Sequence, residues 1–117
     1  MRAEVVDFEW LDLDRAEQSP LEVRATSLVF TARPAGGQGG ETFQLTVCTP
    51  AGLADLLTRD GVVIGRHYLF VPIIDRQQVE AVIQDRLRRF DADSWSGLAD
   101  KIGRIGYWEF EDYAERF

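Results

Sequence analysis

Asparagine is absent from this 117-residue chain, and lysine, histidine and cysteine occur once each, as Lys101, His67 and Cys48. A single cysteine forbids an intramolecular disulfide, and one histidine with one cysteine cannot form a zinc cluster of ordinary ligand spacing. No metal site is therefore expected. No apolar run approaches the roughly 18 residues that a membrane span requires. The chain opens Met1-Arg2-Ala3-Glu4 and continues with acids instead of the apolar stretch of a secretory leader. The expectation is a soluble protein of a reducing cytoplasm, with no membrane partner.

What is present suits one globular domain spanning 1–117. At 45% hydrophobic and 28% charged, the composition supports a packed core without staples. Net charge is −7, and its placement is uneven. Residues 1–14 hold five acids against Arg2, a net of −4, and residues 107–117 hold four acids against Arg116, a net of −3. Between them eleven acids balance eleven basic residues. A negative field repels phosphate backbones, which argues against a nucleic-acid partner and favours a basic protein. Plain solubility is the competing explanation. The acids expected to meet a partner are Asp7, Glu9, Asp12 and Asp14 at one end and Glu109, Glu111, Asp112 and Glu115 at the other.

Periodicity predicts the elements. Ala3 to Trp10 reads as a strand, with Val6, Phe8 and Trp10 on one face and Val5, Asp7 and Glu9 on the other. Val23 to Thr31 and the alternation of Phe43, Leu45 and Val47 predict a hairpin joined by the glycine-rich 36–40 connection. Thr49-Pro50 opens a helix carrying Leu53, Leu56 and Leu57, which Asp60-Gly61 stops. Arg66 to Val71 predicts a strand with His67, Leu69 and Val71 on one face. Asp75 with Gln78 opens the longest helix, whose stripe is Val79, Val82, Ile83, Leu87 and Phe90. A shorter helix from Asp93 or Ser94 buries Trp95, Leu98, Ala99 and Ile102, and a last strand carries Trp108 and Phe110. Strands gathered first and helices later predict an α+β fold: about five strands in a mostly antiparallel sheet, with about three helices packed chiefly on one face.

Catalytic motifs are missing. Asp91-Ala92-Asp93 resembles the start of a calcium loop, but Ser96 and Ile102 stand where that loop needs glycine and glutamate. Cys48 and His67 form a nucleophile pair only if adjacent strands bring them together, and no third orienting group is evident. The 36–40 glycines lack the lysine and hydroxyl residue of a phosphate loop. Abundant acids make chance carboxylate pairs common, so their number identifies no enzyme. The chain is expected to be a binding protein and not an enzyme.

Several blocks carry a family resemblance. They are Glu41-Thr42-Phe43-Gln44-Leu45-Thr46-Val47-Cys48-Thr49-Pro50, then Leu53, then Gly65-Arg66-His67-Tyr68-Leu69-Phe70-Val71, Ser94-Trp95-Ser96-Gly97-Leu98, and the ending Trp108-Glu109-Phe110-Glu111-Asp112-Tyr113. In that order, over residues 41–113, they resemble the immunity protein 8 family. The resemblance implies the cytoplasmic antidote of a bacterial polymorphic toxin, encoded beside it and neutralising it by protein–protein binding. It implies no catalytic residue and no cofactor. The second reading is a non-toxin interaction or regulatory module, for which homo-oligomerisation is open.

Overall fold

In the computed structural model, residues 1–11 and 23–108 are described. Their elements run β1 (Ala3–Trp10), β2 (Ala25–Pro34), β3 (Glu41–Cys48), α1 (Pro50–Asp60), β4 (Tyr68–Phe70), α2 (Arg76–Arg88), α3 (Trp95–Ile102) and β5 (Tyr107–Trp108). The fold is α+β, with a five-stranded, mostly antiparallel sheet and three helices. Strand order is β1-β2-β3-β4, and β5 shares the far edge of β3 with β4. β1, β2 and β3 form an antiparallel meander, whereas β4 runs parallel to β3 after the α1 crossover.

Alternation along β2 and β3 builds the core. Leu28, Phe30 and Ala32 face inward from β2, and Phe43, Leu45 and Val47 do so from β3. Val79, Ile83 and Leu87 from α2, with Leu98, Ala99 and Ile102 from α3, close over that face. Register aligns Phe8, Phe30, Phe43 and Trp108 in one row across β1, β2, β3 and β5. Phe30 stacks on Phe43 with ring centroids 5.3 Å apart, and the outer two rings lie 6.3 and 6.4 Å from their neighbours. Trp108 thus serves packing. Phe110 lies outside the described residues.

The helices start where the sequence places their caps. The Thr49 hydroxyl accepts from the Gly52 N–H at 3.2 Å, Asp75 accepts from Gln78 N–H at 3.3 Å, and Ser94 accepts from Gly97 N–H at 3.1 Å. α1 differs from the expected amphipathic helix in what it buries. Only Gly52 is fully buried, and Leu57 is exposed. The reason is its position: Gly52 abuts the Arg24 carbonyl and Cys48 Sγ, and Cys48 points to the face opposite the core row. α1 therefore docks by one close approach at the end of β3.

Two strand expectations are corrected. β1 carries a bulge between Val5 and Asp7, which puts Val5 with Phe8 and Trp10 against the core and leaves Val6 exposed. β4 spans three residues instead of six, because His67 adopts a left-handed backbone with φ 63° and turns the chain into it.

Candidate functional site

The eight acids expected to meet a partner divide by position. Asp7 and Glu9 are within the described residues; Asp12, Asp14, Glu109, Glu111, Asp112 and Glu115 lie outside them. Asp7 and Glu9 sit on the uncovered face of β1, both exposed, opposite Thr31 and Val29 of β2. No cation pairs with either among the described residues. Glu4 on the same strand differs. It faces Arg33 across the ladder, the Arg33 guanidinium donates to it at 2.7 Å, and that bond holds its carboxyl below the usual range.

Were the first and last strands neighbours, Asp7 and Glu9 would share a face with acids near the chain's end, but among the described residues β1 and β5 do not adjoin. β2 and β3 separate β1 from β5. At about 4.8 Å per strand spacing, roughly 14 Å lies between them, beyond the Debye length of about 8 Å at physiological salt. The acidic site in view is β1 alone.

β1 is also an edge strand, and α2 runs beside it. Arg76, Glu80, Gln84 and Arg88, spaced by four, present one helix face along the β1 border. Between strand and helix lies a groove of about 340 Å³ that reaches from Val5 to Trp10, followed by a second of about 270 Å³ at Ala3 to Val5. Gln84 lines both. The Trp10 indole donates to the Glu80 carboxylate at 3.0 Å across the groove. Nothing in a composition or charge count signals this ridge, although its four-residue spacing is visible once α2 is known.

A second cleft, of about 380 Å³, opens between β4, α2 and the 104–105 turn. Leu69, Ile83, Phe90 and Ile105 make its floor, and Arg86 and Arg104 stand at it without an acidic partner among the described residues.

Cys48 and His67 do not form a nucleophile pair. The Cys48 thiol is fully buried and directed at the Thr49 carbonyl, 3.3 Å away; burial, then the charge of Asp55, pushes its pKa up, away from thiolate character. His67 Nε2 instead meets the Gly103 carbonyl at 2.7 Å, and its ring sits edge-on to Tyr107 at 5.9 Å. Among the described residues no group of three or more potential metal ligands gathers. No helix there is long and apolar enough to cross a membrane.

No curated protein and no solved structure matches the chain. A family model does, over residues 3–113, which takes in the whole sheet and all three helices. The match includes β1 and β2, which the block resemblance over 41–113 left out. The chain belongs to the immunity protein 8 family.

Proposed function

We propose that this protein is the cytoplasmic immunity partner of a bacterial polymorphic toxin, which it neutralises by binding a basic surface at or near the toxin's active site. Membership of the immunity protein 8 family over nearly the whole chain is the observation that carries this reading. The protein acts stoichiometrically, as an inhibitor and not as an enzyme, and takes no cofactor. The carboxylates of Asp7 and Glu9, exposed and without a cation among the described residues, support a basic partner. The remaining acids, Asp12, Asp14, Glu109, Glu111, Asp112 and Glu115, extend the negative field at the chain ends. Such a field speeds encounter more than it deepens final affinity.

The test is co-expression with the toxin domain encoded by the adjacent gene. The expected outcome is rescue of growth and recovery of a complex of fixed stoichiometry, with toxin activity titrating to a sharp endpoint. Charge reversal at Glu109 and Glu111 then lowers the association rate at low salt and flattens its salt dependence. Rescue without a complex would point to catalysis on the toxin or its product and refute inhibition by binding.

A further inference from the structure

We propose that the toxin is held by strand addition: an extended basic segment of it pairs with the outer edge of β1. This rests on the reading of the chain as a toxin-binding protein, and it names the surface and the chemistry of the segment.

Hydrogen bonding fixes which β1 groups point outward. Leu11 N–H donates to the Ser27 carbonyl and Ala35 N–H to the Arg2 carbonyl, so those opposed residues are hydrogen-bonded pairs. Alternation from them makes Asp7–Thr31 and Glu9–Val29 hydrogen-bonded pairs as well, and leaves Phe8–Phe30 and Trp10–Leu28 non-bonded. On the other side of β2 the Thr49 N–H donates to Arg24, which assigns the even-numbered residues of β2 to β3 and agrees with this parity. The backbone N–H and C=O groups of Phe8 and Trp10 therefore point away from the sheet, as do those of Val5 before the bulge. No described residue takes them. They recur every second residue, about 6.8 Å apart, which is the spacing a single added strand satisfies. The groove beside them is bounded on its other side by Arg76, Glu80 and Gln84, and the Trp10–Glu80 hydrogen bond crosses it at one end.

Charge decides the occupant. Side chains of an added strand opposite Phe8 and Trp10 enter the groove toward α2, and those between them lie on the uncovered face directly against Asp7 and Glu9. Those last are non-bonded pairs across the new border, where side chains come closest. Lysine or arginine at two alternate positions answers both carboxylates. A second copy of this chain is disfavoured in the registers centred on this stretch. Pairing Phe8 with the Phe8 of another copy sets Asp7 against Glu9, and shifting the register by one step either way sets Asp7 against Asp7 or Glu9 against Glu9. Each places like charges opposite one another, which disfavours the pairing.

The experiment is amide hydrogen exchange read residue by residue, on the full chain alone, with the toxin domain, and with a synthetic seven-residue peptide of alternating lysine and valine. In the free protein Phe8 and Trp10 amides exchange quickly, while those of Asp7 and Glu9, bonded to β2, are slow. Bound toxin or peptide slows Phe8 and Trp10 at least tenfold. Asp7→Lys with Glu9→Lys abolishes that protection and weakens binding by roughly tenfold or more, while the thermal midpoint stays put. Gln84→Trp, which fills the groove without changing charge, has the same effect on protection. A toxin complex that forms with Phe8 and Trp10 still exchanging at the free rate overturns strand addition and leaves the immunity reading intact. Failure of any toxin complex overturns the immunity reading, and the peptide then decides the edge by itself: protection at the two amides supports it, and none overturns it.

Discussion

Two glycines occupy the same helical position, third in the helix after a hydroxyl cap, and replacing each by alanine should move stability in opposite directions. Gly52 follows Thr49 in α1 and Gly97 follows Ser94 in α3, and each donates its N–H to the cap oxygen, at 3.2 and 3.1 Å. The intrinsic gain from glycine to alanine, up to about 1 kcal/mol, is therefore common to both. Their surroundings differ. A Cβ at Gly97 meets Ser94 Oγ at 3.4 Å, an ordinary contact, whereas at Gly52 it falls 2.1 Å from the Arg24 carbonyl oxygen and 3.0 Å from Cys48 Sγ. The Arg24 oxygen is pinned, because it accepts from both the N–H and the hydroxyl of Thr49, each at 3.0 Å. Relief requires α1 to lift from β3. Overpacking costs about 2 kcal/mol and two weakened hydrogen bonds about 1 kcal/mol each. Set against the intrinsic gain, Gly52→Ala loses about 3 kcal/mol while Gly97→Ala gains up to about 1. Unfolding entropy of about 2.1 cal/mol/K per residue gives about 0.25 kcal/mol/K for the chain, so the midpoints move by roughly −12 °C and up to +4 °C. Calorimetry of the two variants beside the parent is the assay. Equal shifts, or a rise for Gly52→Ala, would refute the claim that α1 is held by its close approach to Arg24.

Two further outcomes follow from single side chains. Cys48, buried with its thiol pKa pushed up, should react with a thiol-specific disulfide reagent only as fast as the protein opens; a native rate matching that in urea would show it accessible. Glu4 and Asp91 have lowered pKa values, from hydrogen bonds to Arg33 and to the N-terminal ammonium respectively. A lowered folded value means that the stabilisation is complete above the unfolded pKa and is lost as pH falls through the folded one, so urea midpoints should decline below about pH 4. In Glu4→Gln with Asp91→Asn the decline should be shallower, and an unchanged slope would assign it to other carboxylates.

Local chemistry made much of the fold legible. Cap residues at Thr49, Asp75 and Ser94 mark all three helix starts, and the alternation of Phe43, Leu45 and Val47 marks a strand whose inner face is fully covered. These are signals within four residues of each other. Strand order depends on pairing at long range, which periodicity does not encode, and so the distance between β1 and β5 was open. His67 shows a different limit. Its flanks read as a strand, but a left-handed backbone at a non-glycine residue is settled by the Gly103 and Tyr107 contacts from a distant segment. For the candidate site, acidity at the start of the chain was legible, whereas the outward direction of the Phe8 and Trp10 backbone follows only from the register of β1 on β2.

The bulge in β1 has a physical cause that bears on how its acids should be weighed. Strict alternation counted back from Trp10 would turn Phe8, Val6 and Glu4 inward; counted forward from Ala3 it would turn Ala3, Val5 and Asp7 inward. Either register buries a carboxylate in an apolar core, at a cost of several kcal/mol unless the group is neutralised. One extra residue at Val6 resolves the conflict, because Ala3 and Val5 face the core before it and Phe8 and Trp10 after it. Glu4, Asp7 and Glu9 are all expelled to the open side. Their exposure is thus a requirement of the core and by itself implies no partner. The informative difference lies among the three. Glu4 is answered by Arg33 across the ladder, but the residues opposite Asp7 and Glu9 are Thr31 and Val29, although strands readily place a cation there. Only these two acids adjoin the stretch of edge whose outward backbone groups are spaced for one more strand. The acids without a cation and the backbone groups without a partner among the described residues coincide on the same half of β1, and a basic extended segment answers both at once.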